Sequence, residues 1–183
     1  MGFFKKQTTP IATNVTDQTA ELAARVLDSI AEGVILVDAN GIIQFANPAA
    51  ATLAGYGTSS NIVGLDIHYI LKLENAEGAP IAPEENTFFN ALATNQSLST
   101  RDFLLVSASG EQRIAVSLTC TPTGGPGDYR IITFCDVTTE LAKEHEREDF
   151  ISTASHEMRT PVASIEGYLG LALNPQTATV DTR

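Results

Sequence analysis

Apolar and polar positions change rhythm three times along this chain, and each change predicts a different kind of element. Residues 1–16 are polar, rich in Thr, Pro and Asn, and without period, which predicts a flexible arm. From Asp17 to Ala31, in DQTAELAARVLDSIA, an N-capping aspartate precedes Leu22, Ala23, Val26, Leu27 and Ile30 on one face, so a helix is expected over 17–31. From about Glu32 to Thr138 the pattern reads as mixed α and β. An apolar run, VILV, meets the turn Ala39-Asn40-Gly41 and resumes with Ile42, Ile43 and Phe45, the pattern of a tight hairpin. Asn47-Pro48 then supplies an N-cap and a proline at the first helical position of a short alanine-rich helix. Segments 64–73 and 84–95 carry short-helix spacing. Two strands joined at Ser109-Gly110 follow, with Ile114, Val116, Leu118 and Cys120 alternating with smaller, more polar residues, and DYRIITFCDVT forms a last strand after a loop rich in Gly and Pro. Two strands, several short helices and three strands predict an α+β fold, an antiparallel sheet with its helices on one face.

Beyond Thr138 the rhythm lengthens again. Positions 151, 155, 158, 162, 165, 169 and 172 step by four and three in turn and hold Ile, Ser, Met, Val, Ile, Leu and Ala, which is a heptad seam. Traced back it meets Glu148, Glu144, Leu141 and Val137, a weaker and more charged continuation. A helix of some 35 residues is about 50 Å long. One small domain cannot cover it, so the stripe calls for a partner, most simply the same helix of a second chain.

Composition narrows the function classes. The 183 residues are 43% apolar and 18% charged, enough for one globular core with extensions. The formal net charge of −11 repels nucleic acid and anionic membrane surfaces. No apolar run approaches the roughly 20 residues of a membrane span, and no signal core follows MGFFKKQTTP, so the chain as given reads as cytoplasmic, or as the cytoplasmic part of a membrane-bound protein. Cys120 and Cys135 fit a reducing compartment and are expected as buried apolar residues, with a redox switch as the alternative.

The segments SIAEGVILVDANGIIQFANPAAATLAGYG, SGEQRIAVSLTCTP and YRIITFCDVTTE together resemble a PAS domain, a sensor module with a five-stranded antiparallel sheet, over about half the chain. The triplet Asp136-Val137-Thr138 resembles the signature with which such domains pass into a signalling helix. Thr138 is expected to cap that helix, and Glu140 suits the positive end of its dipole. Within the helix, SHEMRTP resembles the phosphoacceptor box of the sensor histidine kinases, and the following VASIEGYLGLAL resembles the rest of their first bundle helix; Phe150 also suits the pattern, while Met158 and Val162 replace commoner leucines. The resemblance implies that His156 is the imidazole nucleophile that attacks the γ-phosphate of ATP. It implies that Glu157 accepts the ring proton, and that Thr160 places a water against the phospho-aspartate of a response regulator. Pro161 removes one helical hydrogen bond and favours a bend.

Other readings meet the same residues. A zinc protease box, H-E-x-x-H, fails because its fifth position is Thr160. His145 lacks the downstream threonine and proline and reads as part of a solvated helix face. His68, conceivable as a haem ligand of a PAS domain, reads as a structural or surface histidine, and the flavin-binding cysteine motif of light-sensing relatives is absent. The expected organisation is an arm (1–16), a helix (17–31), a PAS sensor domain (32–138), a signalling and first phosphoacceptor-domain helix (139–175) and a loop (176–183). No cofactor is identifiable in the chain, and the ligand of the sensor domain is left open. ATP and Mg²⁺ belong to a catalytic domain expected outside these residues, so the chain is read as a fragment of a longer kinase, working as a homodimer with a response regulator as partner. The alternatives are a catalytically silent sensory or dimerisation module and a phosphotransfer protein without its own kinase domain.

Overall fold

The computed structural model describes residues 12–82, 84–125 and 127–173, and the chain divides into two compact units, Met1–Thr138 and Thr139–Arg183. Helix α1 spans Ala12–Ser29. It begins ahead of the expected Asp17, because no Gly or Pro stands between Pro10 and that residue, and five positions assigned to an arm are helical. Positions 1–11 of that arm lie outside the described residues.

The first unit is built on one six-stranded sheet. Its strands are β1 (Gly33–Val37), β2 (Ile43–Ala46), β3 (Lys72–Glu74), β4 (Leu98–Val106), β5 (Arg113–Pro122) and β6 (Arg130–Asp136). The order is β2-β1-β6-β5-β4-β3, and every neighbouring pair is antiparallel. Ile35 and Val37 of β1, Val116, Leu118 and Cys120 of β5, and Ile132 and Phe134 of β6 are buried at alternate positions. Short helices α2 (Pro48–Leu53), α3 (Ile67–Ile70) and α4 (Thr87–Ala93) lay Ala50, Ala51, Ile67, Ile70, Phe88 and Leu92 into the same core. Each large side chain so buried contributes about 1.5–3 kcal/mol.

The structure departs from the sequence reading in two places. The expected helix over 64–73 stops at Ile70, and Lys72–Glu74 becomes a sixth strand, with Leu73 buried opposite Leu105. Arg113 secures that edge from β5, its Nε and Nη2 donating to Glu74 at 2.6 and 3.3 Å. In the hairpin, β1 and β2 are joined by five residues organised by one carboxylate. Asp38 Oδ1 accepts from the amides of Asn40 and Ile42, and Oδ2 from Gln44, while Gly41 takes φ +81°.

Asn47 caps α2 as its sequence suggests, and does more. Fully buried, its Oδ1 accepts from the amides of Ala50 (3.0 Å) and Val34 (2.9 Å), while Nδ2 donates to the carbonyls of Leu27, Ile30 and Glu32. This single amide ends α1, fixes the start of β1 and opens α2. Gly33 lies beside it where a Cβ would stand 2.6 Å from the Phe134 ring and 3.0 Å from the Ala50 backbone, so the strand and α2 approach as closely as a missing side chain permits. No helix among the described residues is long and apolar enough to cross a membrane.

Asn86 is also a buried cap, accepting from the amides of Phe88 and Phe89, but it serves α4 alone. Asn47→Ala should therefore cost about 3 kcal/mol, a lost cap together with buried carbonyls left unpaired, against about 1 kcal/mol for Asn86→Ala. Urea unfolding of both variants measures the difference, and equal losses would mean that the carbonyl contacts of Asn47 carry no weight.

Candidate functional site

The sheet hands over to the long helix through three consecutive residues. Strand β6 ends at Asp136 and α5 runs over Thr138–Leu173. Val137, buried, donates its amide to the Ala115 carbonyl at 2.8 Å. Ala115 returns its own amide to Thr138 Oγ1 at 3.0 Å, and Asp136 Oδ1 accepts the Thr138 amide at 2.9 Å. The expected cap is thus displaced by two residues. Thr138 is the first helical residue, its hydroxyl is spent on β5, and Asp136 satisfies a free amide at the helix start. Glu140 lies in the first turn as expected.

Helix α5 is continuous through Pro161. The expected bend does not interrupt it, although the proline deprives the Glu157 carbonyl of its usual donor and the Ser164 hydroxyl shares the Thr160 carbonyl at 3.0 Å. His156, Glu157 and Thr160 are all exposed. His156 and Thr160 are four residues apart and so lie one above the other on one face, with Glu157 flanking them about 100° round. The apolar stripe is uncovered in a single chain: Met158 is 66% exposed and Ile165 57%, with Ile151, Val162 and Leu169 also open. His145 donates from Nδ1 to the Leu141 carbonyl one turn back, at 2.9 Å, a contact that keeps its ring against its own helix.

The first unit holds a polar group of its own that sequence reasoning missed. Asp66 caps α3 through the His68 amide and holds the His68 ring at 2.7 Å, with Phe89 stacked on the imidazole at 4.3 Å. Burial works against ionisation of Asp66, but the two hydrogen bonds from His68 and its charge outweigh it and hold the carboxyl below its ordinary range. Arg130, at the head of β6, is the one buried charged side chain among the described residues. The signal for it lay in the alternation Arg130-Ile132-Phe134, which puts a cation on the core-facing side of a strand. Cys120 is buried and Cys135 half-buried, and no disulfide joins them. Although β5 and β6 pair, Cys120 faces Ile132 and Cys135 faces Ser117, so the two are out of register. Burial pushes the Cys120 thiol up, and the charge of Arg130 draws it part of the way back.

Two family models match the chain. Residues 21–92 match the PAS domain model, and residues 146–182 match the His Kinase A (phospho-acceptor) domain model. The chain is 31% identical over 144 residues to the alginate biosynthesis sensor protein KinB of Pseudomonas aeruginosa, covering 77% of this chain and 22% of that protein. It is 29% identical over 154 residues to the sensor protein kinase WalK of Staphylococcus saprophyticus, covering 81% of this chain and 23% of the relative. The chain therefore spans less than a quarter of these relatives. Among solved structures, a PAS domain of an HTR-like protein from Haloarcula marismortui superposes with a TM-score of 0.52 at 14% identity, over 67% of this chain and 95% of that one. A PAS domain from a two-component sensor histidine kinase gives 0.51 at 9%, over 66% and 98%. Both show the fold.

Two outcomes follow from the geometry. Thr138→Val keeps the shape of the side chain and removes the acceptor for Ala115, so exchange of the Ala115 amide with solvent should quicken about fivefold, the weight of one ordinary hydrogen bond; unchanged exchange would show that the contact holds nothing. Because the carboxyl of Asp66 is depressed in the fold, its contribution to stability is complete above the unfolded-state value of 3.8 and is lost as pH falls through the lower folded-state value. Asp66→Asn should flatten that part of the acid stability profile, as read by denaturant unfolding at stepped pH.

Proposed function

We propose that this chain, a PAS-containing member of the sensor histidine kinases, supplies the sensing unit and the phospho-accepting helix of a two-component kinase, with His156 as the acceptor. The observation that carries the reading is the SHEMRTP box presented exposed on one unbroken helix that begins two residues after the last strand of the sensor sheet.

In this reading the neutral imidazole of His156 attacks the γ-phosphorus of ATP, an N–P bond forms, and the bond to the β-phosphate oxygen breaks as ADP leaves. The ring proton passes to Glu157, adjacent on the helix. The phosphoryl group then moves from His156 to an aspartate carboxylate of a response regulator. Thr160, on the same face as His156 one turn on, aims a water at that phospho-aspartate and gives the reverse activity. ATP and Mg²⁺ are bound by a catalytic domain that these residues do not include. The open stripe of Ile151, Met158, Val162, Ile165 and Leu169 pairs with the same stripe of a second chain. The signal reaches it through the hydrogen-bonded exit at Ala115, Val137 and Thr138.

The test is phosphoryl transfer from radiolabelled ATP, with the catalytic domain of a related kinase supplied in trans and the chain extended through its second bundle helix. Acid-labile, base-stable label should appear on the parent and be absent from His156→Gln. Glu157→Gln should slow labelling by about 10²-fold, and Thr160→Ala should label normally while losing dephosphorylation of the regulator. A folded dimer that takes no label from several donor domains would leave a silent sensory and dimerisation module.

A further inference from the structure

Arg130 is 5% exposed and faces the core beside Ile132 and Phe134, yet no carboxylate pairs with it among the described residues. Its Nη1 donates to the carbonyls of Asp128 (3.2 Å) and Asp38 (3.3 Å). Nε is shut off from solvent without any acceptor, and no hydrogen bond of Nη2 is present among the described residues. A buried guanidinium in this state is costly, because ions taken out of water are tolerated when they are paired. Asp38 gives its carboxylate to Asn40, Ile42 and Gln44, and Asp66 gives its own to His68.

Against Arg130 lies a cavity of about 110 Å³, whose wall includes Asn40, Gly41, His68, Phe89 and Leu92. That is room for about four water volumes, far below a drug-sized site. Arg130 lines it with a charge that no carboxylate among the described residues pairs, and Phe89 and Leu92 make one wall apolar. The His68 ring beside it is held by Asp66 through Nδ1 and by Phe89.

We propose that this cavity binds a small monocarboxylate, of acetate to propionate size, with Arg130 as its counter-ion. An anion would pair the buried charge, whereas a neutral molecule would leave it unpaired. A tetrahedral oxyanion would need more cations than the single arginine here supplies. Phe89 and Leu92 suit the methyl or ethyl end. The proposal deepens the sensing reading by giving the signal a chemical class. Binding acts at the head of β6, the strand whose other end is the Asp136 exit into α5.

The test is titration of the isotope-labelled full chain with sodium acetate and sodium propionate, followed through backbone amide resonances, with acetamide, sodium phosphate and sodium chloride at matched ionic strength. Saturable shifts confined to Asn40, Gly41, His68, Leu92 and Arg130, with a millimolar midpoint, are expected from the carboxylates alone. Arg130→Gln should weaken the midpoint at least tenfold. Leu92→Phe fills the cavity while keeping the arginine, and should abolish binding in a chain whose remaining spectrum is unchanged. Equal shifts from acetamide, tighter binding of phosphate, a linear response shared with chloride, or undiminished binding by Leu92→Phe would each overturn the proposal. No ATP enters this experiment, so its failure would leave the phosphoryl-transfer result standing, and the reverse holds too.

Discussion

The side chain of Asn47 is the constraint on which the first unit depends. An amide has two acceptor lone pairs and two donors, and here all of that capacity is used inside the core, on Val34, Ala50, Leu27, Ile30 and Glu32. Three elements that are not neighbours through ladder hydrogen bonds are thereby fixed to one planar group. Buried polar networks of this kind act as a unit, since removing the amide leaves several backbone groups dry at once. The apolar core supplies most of the free energy, but it does not choose where α1 stops or how α2 leaves the sheet. The asparagine chooses both.

A second set of hydrogen bonds determines how the chain leaves the sheet. Ala115 on β5 gives its carbonyl to Val137, so the β5–β6 ladder continues one residue beyond the last strand position, and it donates its amide to the Thr138 hydroxyl next in line. The first residue of α5 is thus held by the sheet on one side and begins a helix on the other. A change in the pairing of β5 with β6 has a direct route to that residue, which needs no long chain of contacts.

Much of this was legible in the residues. An apolar run before the Ala39-Asn40-Gly41 turn marked β1, alternation marked β5, the Asn47-Pro48 pair marked a capped helix, and SHEMRTP stood out on a continuous helix because its chemistry is carried by neighbours in sequence. What escaped has a common cause, that it depends on residues far apart in the chain. Lys72–Glu74 is too short to announce a strand and exists through Leu105 and Arg113, more than 30 positions later. The hydroxyl of Thr138 looked like a cap until Ala115 was seen beside it. Arg130 broke the apolar alternation of its strand in plain view, but its meaning required Asp38, His68 and Phe89, which reach it through the fold.

The close approach at Gly33 carries a consequence for how such a domain diverges. Any side chain there would enter space held by the Phe134 ring and the backbone of Ala50. The two positions, 101 residues apart and directly paired across β1 and β6, therefore share one allotment of volume. Larger residues become admissible at 33 when 134 shrinks, and then α2 must shift as well. Drift at this spot is consequently a concerted affair: in descendants of this sequence the pair should change together or not at all, although neither residue touches the histidine or the cavity.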